Sequence, residues 1–299
     1  MFKGLCAFPL APLENCKLEE KTFLSLIENQ ASSGVNSIGV LGSTGRYAYM
    51  TREQRYRTTK LAISAADGIP VMISIGNVFP DEALRMAADA QKAGVSGLML
   101  SPFLNHNLSS YEVFRLYERL TAELSVPLCV YDNWTTTGFE FTDELLIALS
   151  YLNNVGSIRL GDFLVERSAS ASQKRVSKLK NRISEGVTIG ISGDSLSAAG
   201  LIAGCDVWYS ILGGMFPHYS LRMTHAALRG DESETQQLNN ALEPLWVFYR
   251  RHGSLRVIAT VGEIMGTVAA RCLPFPLHPL VGKERSSLEE ALEKLHFLA

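Results

Sequence analysis

Ala93-Gly94-Val95-Ser96-Gly97-Leu98-Met99-Leu100 is the stretch on which the fold turns. Before it, Asp81 to Lys92 sets Ala83, Leu84, Ala87 and Ala90 on one side of a helical pattern. Glycine then supplies the left-handed backbone that ends a helix and turns the chain back. The apolar run that follows does not alternate with polar residues, as expected of a strand buried on both faces of a parallel sheet. The same cadence recurs at Ser33-Gly34-Val35, Glu185-Gly186-Val187 and Ala203-Gly204-Cys205.

Working outward, eight such runs line up as strands: Gly4–Phe8, Ser37–Leu41, Val71–Ile75, Gly97–Leu100, Pro127–Tyr131, Val155–Arg159, Thr188–Ile191 and Val207–Leu212. Helical patterns separate them, so the chain reads as an α/β protein, a (β/α)8 barrel filling residues 1–216. Residues 217–299 carry helical stretches near Tyr219–Arg229, Glu232–Arg251, Arg256–Ala270 and Ser287–Leu298, read as a helical extension packed on the barrel. An open doubly wound sheet is the competing architecture. It requires a G-x-G-x-x-G turn, and Gly39-Val40-Leu41-Gly42-Ser43-Thr44-Gly45 has the wrong spacing.

Composition excludes several classes of function. The chain has 299 residues, 46% hydrophobic and 19% charged, enough to bury a core without staples. A net charge of −2 leaves no basic surplus for nucleic acid. No apolar run reaches the length of a membrane span. Five widely spaced cysteines (Cys6, Cys16, Cys129, Cys205, Cys272) include no C-x-x-C pair, which fits free thiols in the cytoplasm. The six histidines have no metal-ligand spacing either, and no cofactor is expected.

In a barrel of this kind, chemistry comes from the C-terminal ends of the strands. Those ends carry Gly42-Ser43-Thr44-Gly45-Arg46, Gly76-Asn77, Ser101-Pro102-Phe103-Leu104-Asn105, Tyr131-Asp132-Asn133, Arg159, Ser192-Gly193-Asp194, and Ser210 before Gly213-Gly214. Two hydroxyls and free N–H groups in the Gly42–Gly45 turn suit a carboxylate. The same residues also suit a plain turn with a helix cap. Asp132, Asp162 and Asp194 raise a Mg²⁺ or Mn²⁺ option. Tyr47, Tyr49 and Trp134 flank the mouth, either to stack on a ligand or to pack beneath loops.

Taken together, Ala7-Phe8-Pro9-Leu10-Ala11-Pro12, Gly42–Gly45, Gly68-Ile69-Pro70-Val71, Ser101-Pro102-Phe103, Tyr131, Gly138, Ser157-Ile158-Arg159 and Ser192-Gly193-Asp194 resemble the dihydrodipicolinate synthase/N-acetylneuraminate lyase family over nearly the whole chain. The resemblance implies a (β/α)8 barrel with a C-terminal helical part, assembled as a homotetramer or homodimer. It implies a carbon–carbon lyase acting on a small carboxylate, a 2-oxo acid or sugar acid, in which a strand-six lysine forms a Schiff base. It places the proton-moving tyrosine at Tyr131, a relay hydroxyl at Ser43, and the carboxylate site at Thr44 and Gly45, with Arg46, Asp132 and Ser210 beside them.

Position 159 breaks that pattern. The family's lysine is Arg159 here, and a guanidinium stays protonated and does not add to a carbonyl. The ten lysines stand at 3, 17, 21, 60, 92, 174, 178, 180, 283 and 294, none at the C-terminal end of an expected strand. Arg46 replaces a glutamate, Leu104 an aromatic, Thr136 an arginine and Asp132 an asparagine of the family pattern. Arginine at the barrel centre suits bidentate binding of a carboxylate or phosphate, or fills the lysine's place by pairing with Asp132. The readings are an atypical lyase using Tyr131 and Arg159, a non-catalytic binder or regulator recognising the same acid, and a conventional lyase whose lysine comes from elsewhere.

Overall fold

The computed structural model describes residues 1–14, 17–42, 45, 47–102, 106–132, 134–161 and 169–295. Ser43, Thr44, Arg46, Leu104 and Asp162 lie outside the described residues. Eight parallel strands close into one barrel: β1 (Gly4–Ala7), β2 (Ser37–Val40), β3 (Val71–Ser74), β4 (Gly97–Leu100), β5 (Leu128–Tyr131), β6 (Val155–Leu160), β7 (Thr188–Ser192) and β8 (Val207–Ser210). The ring is sealed where Cys6 stands opposite Ser37 and Gly4 opposite Val207. Each strand coincides with an expected run to within two residues at either end.

The glycine cadence works as its chemistry requires. Gly94 caps the helix Pro80–Ala93 at φ 95°, and its N–H donates to the Ala90 carbonyl. Gly34 and Gly204 likewise follow helix ends with positive φ, whereas Gly186, also at positive φ, sits in a turn well past the end of the helix Ala169–Lys180. Helix starts are fixed by side chains. Thr51 and Gln54 cap Arg52–Ala65 reciprocally, and Ser109 with Glu112 does the same for Ser110–Thr121.

Because strand side chains alternate, the strands feed two cores. Leu5, Ile38, Ile73, Leu98, Val130, Ile158 and Trp208 face the helices. Cys6, Met72, Met99, Cys129, Tyr131 and Tyr209 fill the barrel together with Phe2 and Phe8.

After β8 come Leu212–Met215 and then Pro217–Leu228, which packs on β1 and supplies the eighth outer helix. The expected Glu232–Arg251 helix is two helices, Glu232–Ala241 and Glu243–His252. Pro244 explains the break, since it has no N–H to continue the first helix but suits the opening turn of the second. The expected Arg256–Ala270 helix is Ser254–Ile264, which ends just before Gly266 at φ 69°. The last helix starts earlier than expected, at Gly282–Glu293. Among the described residues, no helix is long and apolar enough to cross a membrane.

Candidate functional site

Alternation along β6 turns Ser157 and Arg159 toward the barrel axis, both of them buried. Arg159 stands opposite Tyr131 on one side and Gly190 on the other. Its guanidinium carbon lies 4.0 Å from the Tyr131 ring centroid, 4.7 Å from that of Phe8 and 5.3 Å from that of Tyr209. Nη2 donates to Ser192 Oγ at 2.8 Å and Nη1 to Met99 Sδ at 3.3 Å. Nε is buried with no hydrogen-bond partner among the described residues. With 3% of the residue exposed, this cation meets a hydroxyl, a thioether and three rings, and no carboxylate among the described residues. Aromatic faces replace part of the hydration that burial removes.

The cage exists because particular neighbours are glycine. A Cβ on Gly39 would stand 2.2 Å from the Phe8 ring and one on Gly42, just past β2, 2.9 Å, so both positions must stay bare for the ring to reach Arg159. Gly190 does the same for Tyr209, whose ring would lie 2.3 Å from an added Cβ. Below the cage, the Tyr209 hydroxyl pairs with Ser157 Oγ at 2.7 Å and accepts from Cys129 Sγ at 3.4 Å. Burial pushes the Cys129 thiol up to about 11 and the Cys6 thiol up to about 12. Neither sulfur is therefore a nucleophile at neutral pH.

Around the mouth the expected residues fall into distinct places. Gly45 packs on the backbone of Leu41, which takes a left-handed φ of 57°, so the start of the turn is a strained corner with no room for a Cβ. Asp132 is buried just past β5, and its N–H donates to the Arg159 carbonyl at 3.0 Å. Ser210 is wholly buried, its hydroxyl donating to Asp194 Oδ1 at 3.0 Å and accepting from the Gly213 N–H at 2.7 Å. Asp194 is saturated by four donors within its own corner of the barrel. Among the described residues no group of three His, Cys, Asp or Glu is arranged to hold a metal ion.

Tyr47 sits over Gly76, clamped by the buried Arg55, whose Nε donates to the Tyr47 carbonyl at 3.0 Å and Nη1 to that of Gly76 at 3.2 Å. Burial raises the Tyr47 pKa and pulls Arg55 down to about 10. Tyr49 and Trp134 are exposed. Close by, Pro102, His106, Asn107, Thr137 and Gly138 line a cavity of about 130 Å³.

All ten lysines are exposed, and none points into the barrel. No local pattern in the sequence ties Phe8, Tyr209, Ser192 or Met99 to Arg159 as its partners. The available signal was a bulky aromatic at an inward strand position beside strands carrying glycine, at Gly39 and Gly190.

The dihydrodipicolinate synthetase family matches residues 1–295 of the chain. A solved dihydrodipicolinate synthase from Agrobacterium tumefaciens is 35% identical, with a TM-score of 0.93 and 98% of each chain covered. A 4-hydroxy-tetrahydrodipicolinate synthase of Syntrophobacter fumaroxidans is 24% identical over 98% of both chains. The synthase of Acinetobacter baumannii shares the fold at 20% identity, with a TM-score of 0.90 and 99% of each chain covered.

Proposed function

The chain belongs to the dihydrodipicolinate synthetase family, and we propose that it is an aldolase-type carbon–carbon lyase that holds a small carboxylate, a 2-oxo acid or sugar acid, without a Schiff base. The observation that carries this is the buried Arg159 guanidinium, which among the described residues has neither a carboxylate partner nor a hydrogen-bond partner for Nε. The rings and Ser192 offset much of the cost of burying this charge, and the unused Nε donor leaves it able to take an anion as well. A ligand oxyanion on Arg159 takes up that donor, and Tyr131, its ring 4.0 Å from the guanidinium carbon, is the group that moves the proton. Ser43, Thr44, Gly45 and Arg46 would receive the rest of the acid from the β2 turn, with Asp132 beside them. Ser210 serves from behind, through the corner it shares with Asp194.

Guanidinium nitrogens do not add to carbonyls at neutral pH, so Arg159 would stabilise an enolate by charge-assisted hydrogen bonding. The exposure of every lysine favours this noncovalent chemistry. It also supports a second reading, a non-catalytic binder or regulator recognising the same acid.

Pyruvate is the first probe, because the solved A. baumannii relative is a complex with pyruvate. Borohydride with pyruvate, read by intact mass, is expected to give no adduct, while calorimetry shows binding that Arg159→Ala abolishes. A covalent adduct would overturn the noncovalent reading. Binding without exchange of the pyruvate methyl protons in D₂O would leave the binder. No binding of any 2-oxo or sugar acid would sink both.

A further inference from the structure

Asp194 lies 35 residues beyond Arg159 in sequence and does not touch the guanidinium, yet its bonds go to the residues that flank Tyr209 and to the corner just after it. Oδ1 accepts from Trp208 Nε1 at 3.0 Å, Ser210 Oγ at 3.0 Å and the Ile211 N–H at 3.2 Å, and Oδ2 accepts from the Leu212 N–H at 2.8 Å. These donors bracket Tyr209 on both sides along β8. The same corner reaches β1, where the Phe8 N–H donates to the Ser210 carbonyl at 2.7 Å. Gly214 lies so close that a Cβ there would stand 2.0 Å from the Phe8 carbonyl oxygen, and Gln30 Nε2 braces the Gly214 carbonyl at 2.9 Å.

We infer that Asp194 is a positioning residue for anion recognition: its carboxylate fixes the corner between β8 and Leu212–Met215, and that corner holds the Phe8 and Tyr209 rings about Arg159. The inference rests on the reading of Arg159 as the anion's partner and adds the residue that keeps the cation presented. A carboxylate is required because four donors converge on two oxygens, and an amide replaces one acceptor with a donor. Two of those four donors, the Ile211 and Leu212 N–H groups at the start of Leu212–Met215, can be satisfied only by an acceptor. Tyr131, the third ring, comes from the opposite side of the barrel and does not depend on this corner.

The experiment uses the full chain with ¹⁵N-labelled arginine, the Arg159 Nε–H resonance being assigned by its loss in Arg159→Met. In Asp194→Asn, measured where it is fully folded, that resonance is expected to shift as the Phe8 and Tyr209 rings move, and pyruvate to bind at least tenfold more weakly. Ser210→Ala, which removes one donor to Asp194, should shift it in the same direction by less. Leu288→Ala, a buried change in the distant last helix, loses stability but should leave both readouts in place. An unmoved Arg159 resonance in Asp194→Asn, with pyruvate affinity intact, overturns the inference. If the wild type binds no pyruvate, the functional reading fails by itself, and the Arg159 resonance still decides the role of Asp194.

Discussion

Replacing Arg159 by methionine separates a binding residue from a filler of space. The substitution keeps a flexible stem and a soft tip while removing the charge. Burying one cation costs several kcal/mol after relaxation. Against this stand three ring contacts of about 1–2 kcal/mol each in a desolvated site and the Ser192 hydrogen bond of about 1.5–3 kcal/mol. The terms nearly cancel, so Arg159→Met should change stability by less than about 2 kcal/mol, where an ordinary buried Leu→Ala costs about 2–5 kcal/mol. Ligand linkage separates the two proteins. Pyruvate at a hundred times its Kd should stabilise the wild type by about 2.7 kcal/mol and the variant not at all. Urea melts with and without pyruvate measure both quantities. Guanidinium chloride is unsuitable, because its cation copies the side chain under test. A loss above about 3 kcal/mol with pyruvate protection intact would show that Arg159 only fills the barrel, and the reasoning would fall.

Gly39→Ala drives a methyl group into the Phe8 ring, where a Cβ has 2.2 Å. It should cost about 1–3 kcal/mol by overpacking and weaken pyruvate binding by displacing the ring from Arg159, both readable in one calorimetric series. Tyr131→Phe keeps the ring over the guanidinium and removes the hydroxyl. Pyruvate affinity should hold within about threefold while methyl proton exchange in D₂O falls at least about a hundredfold; equal exchange would remove Tyr131 from the chemistry. Burial pushes the Asp194 carboxyl up to about 6 from 3.8, against the pull of its four donors. A raised carboxyl binds its proton more tightly folded than unfolded, so its contribution is full below pH 3.8 and lost as pH rises through about 6. The stability difference, wild type minus Asp194→Asn, should therefore fall by about 3 kcal/mol between pH 3.5 and 6.5, at 1.36 kcal/mol per pH unit. A flat difference in urea melts would refute the assignment.

Much of the architecture was legible because it is locally encoded. Helix-ending glycines and unalternating apolar runs marked β1 to β8, since a strand buried on both faces cannot use polar residues on either. Boundaries in the C-terminal helices were less legible. One proline and one glycine, Pro244 and Gly266, decided where the expected long helices stop, and periodicity does not weigh single residues of that kind. At the candidate site, position placed Tyr131, Asp132 and Arg159 among the strand-end candidates, because strand ends in a barrel converge on one face, and the family resemblance singled them out.

Whether Arg159 pairs with Asp132 or stands without a carboxylate was open in the sequence, where the two readings draw on the same residues. Contacts closed across the barrel put Ser192, Met99, Phe8 and Tyr209 around the guanidinium. These residues come from four different strands or their ends, and no local pattern links them. Backbone preference and the identity of one side chain therefore set, already in the sequence, the barrel and the arginine at position 159. What surrounds that arginine is set by contacts made on folding, because glycines at 39, 42 and 190 create room for rings that arrive from elsewhere in the chain.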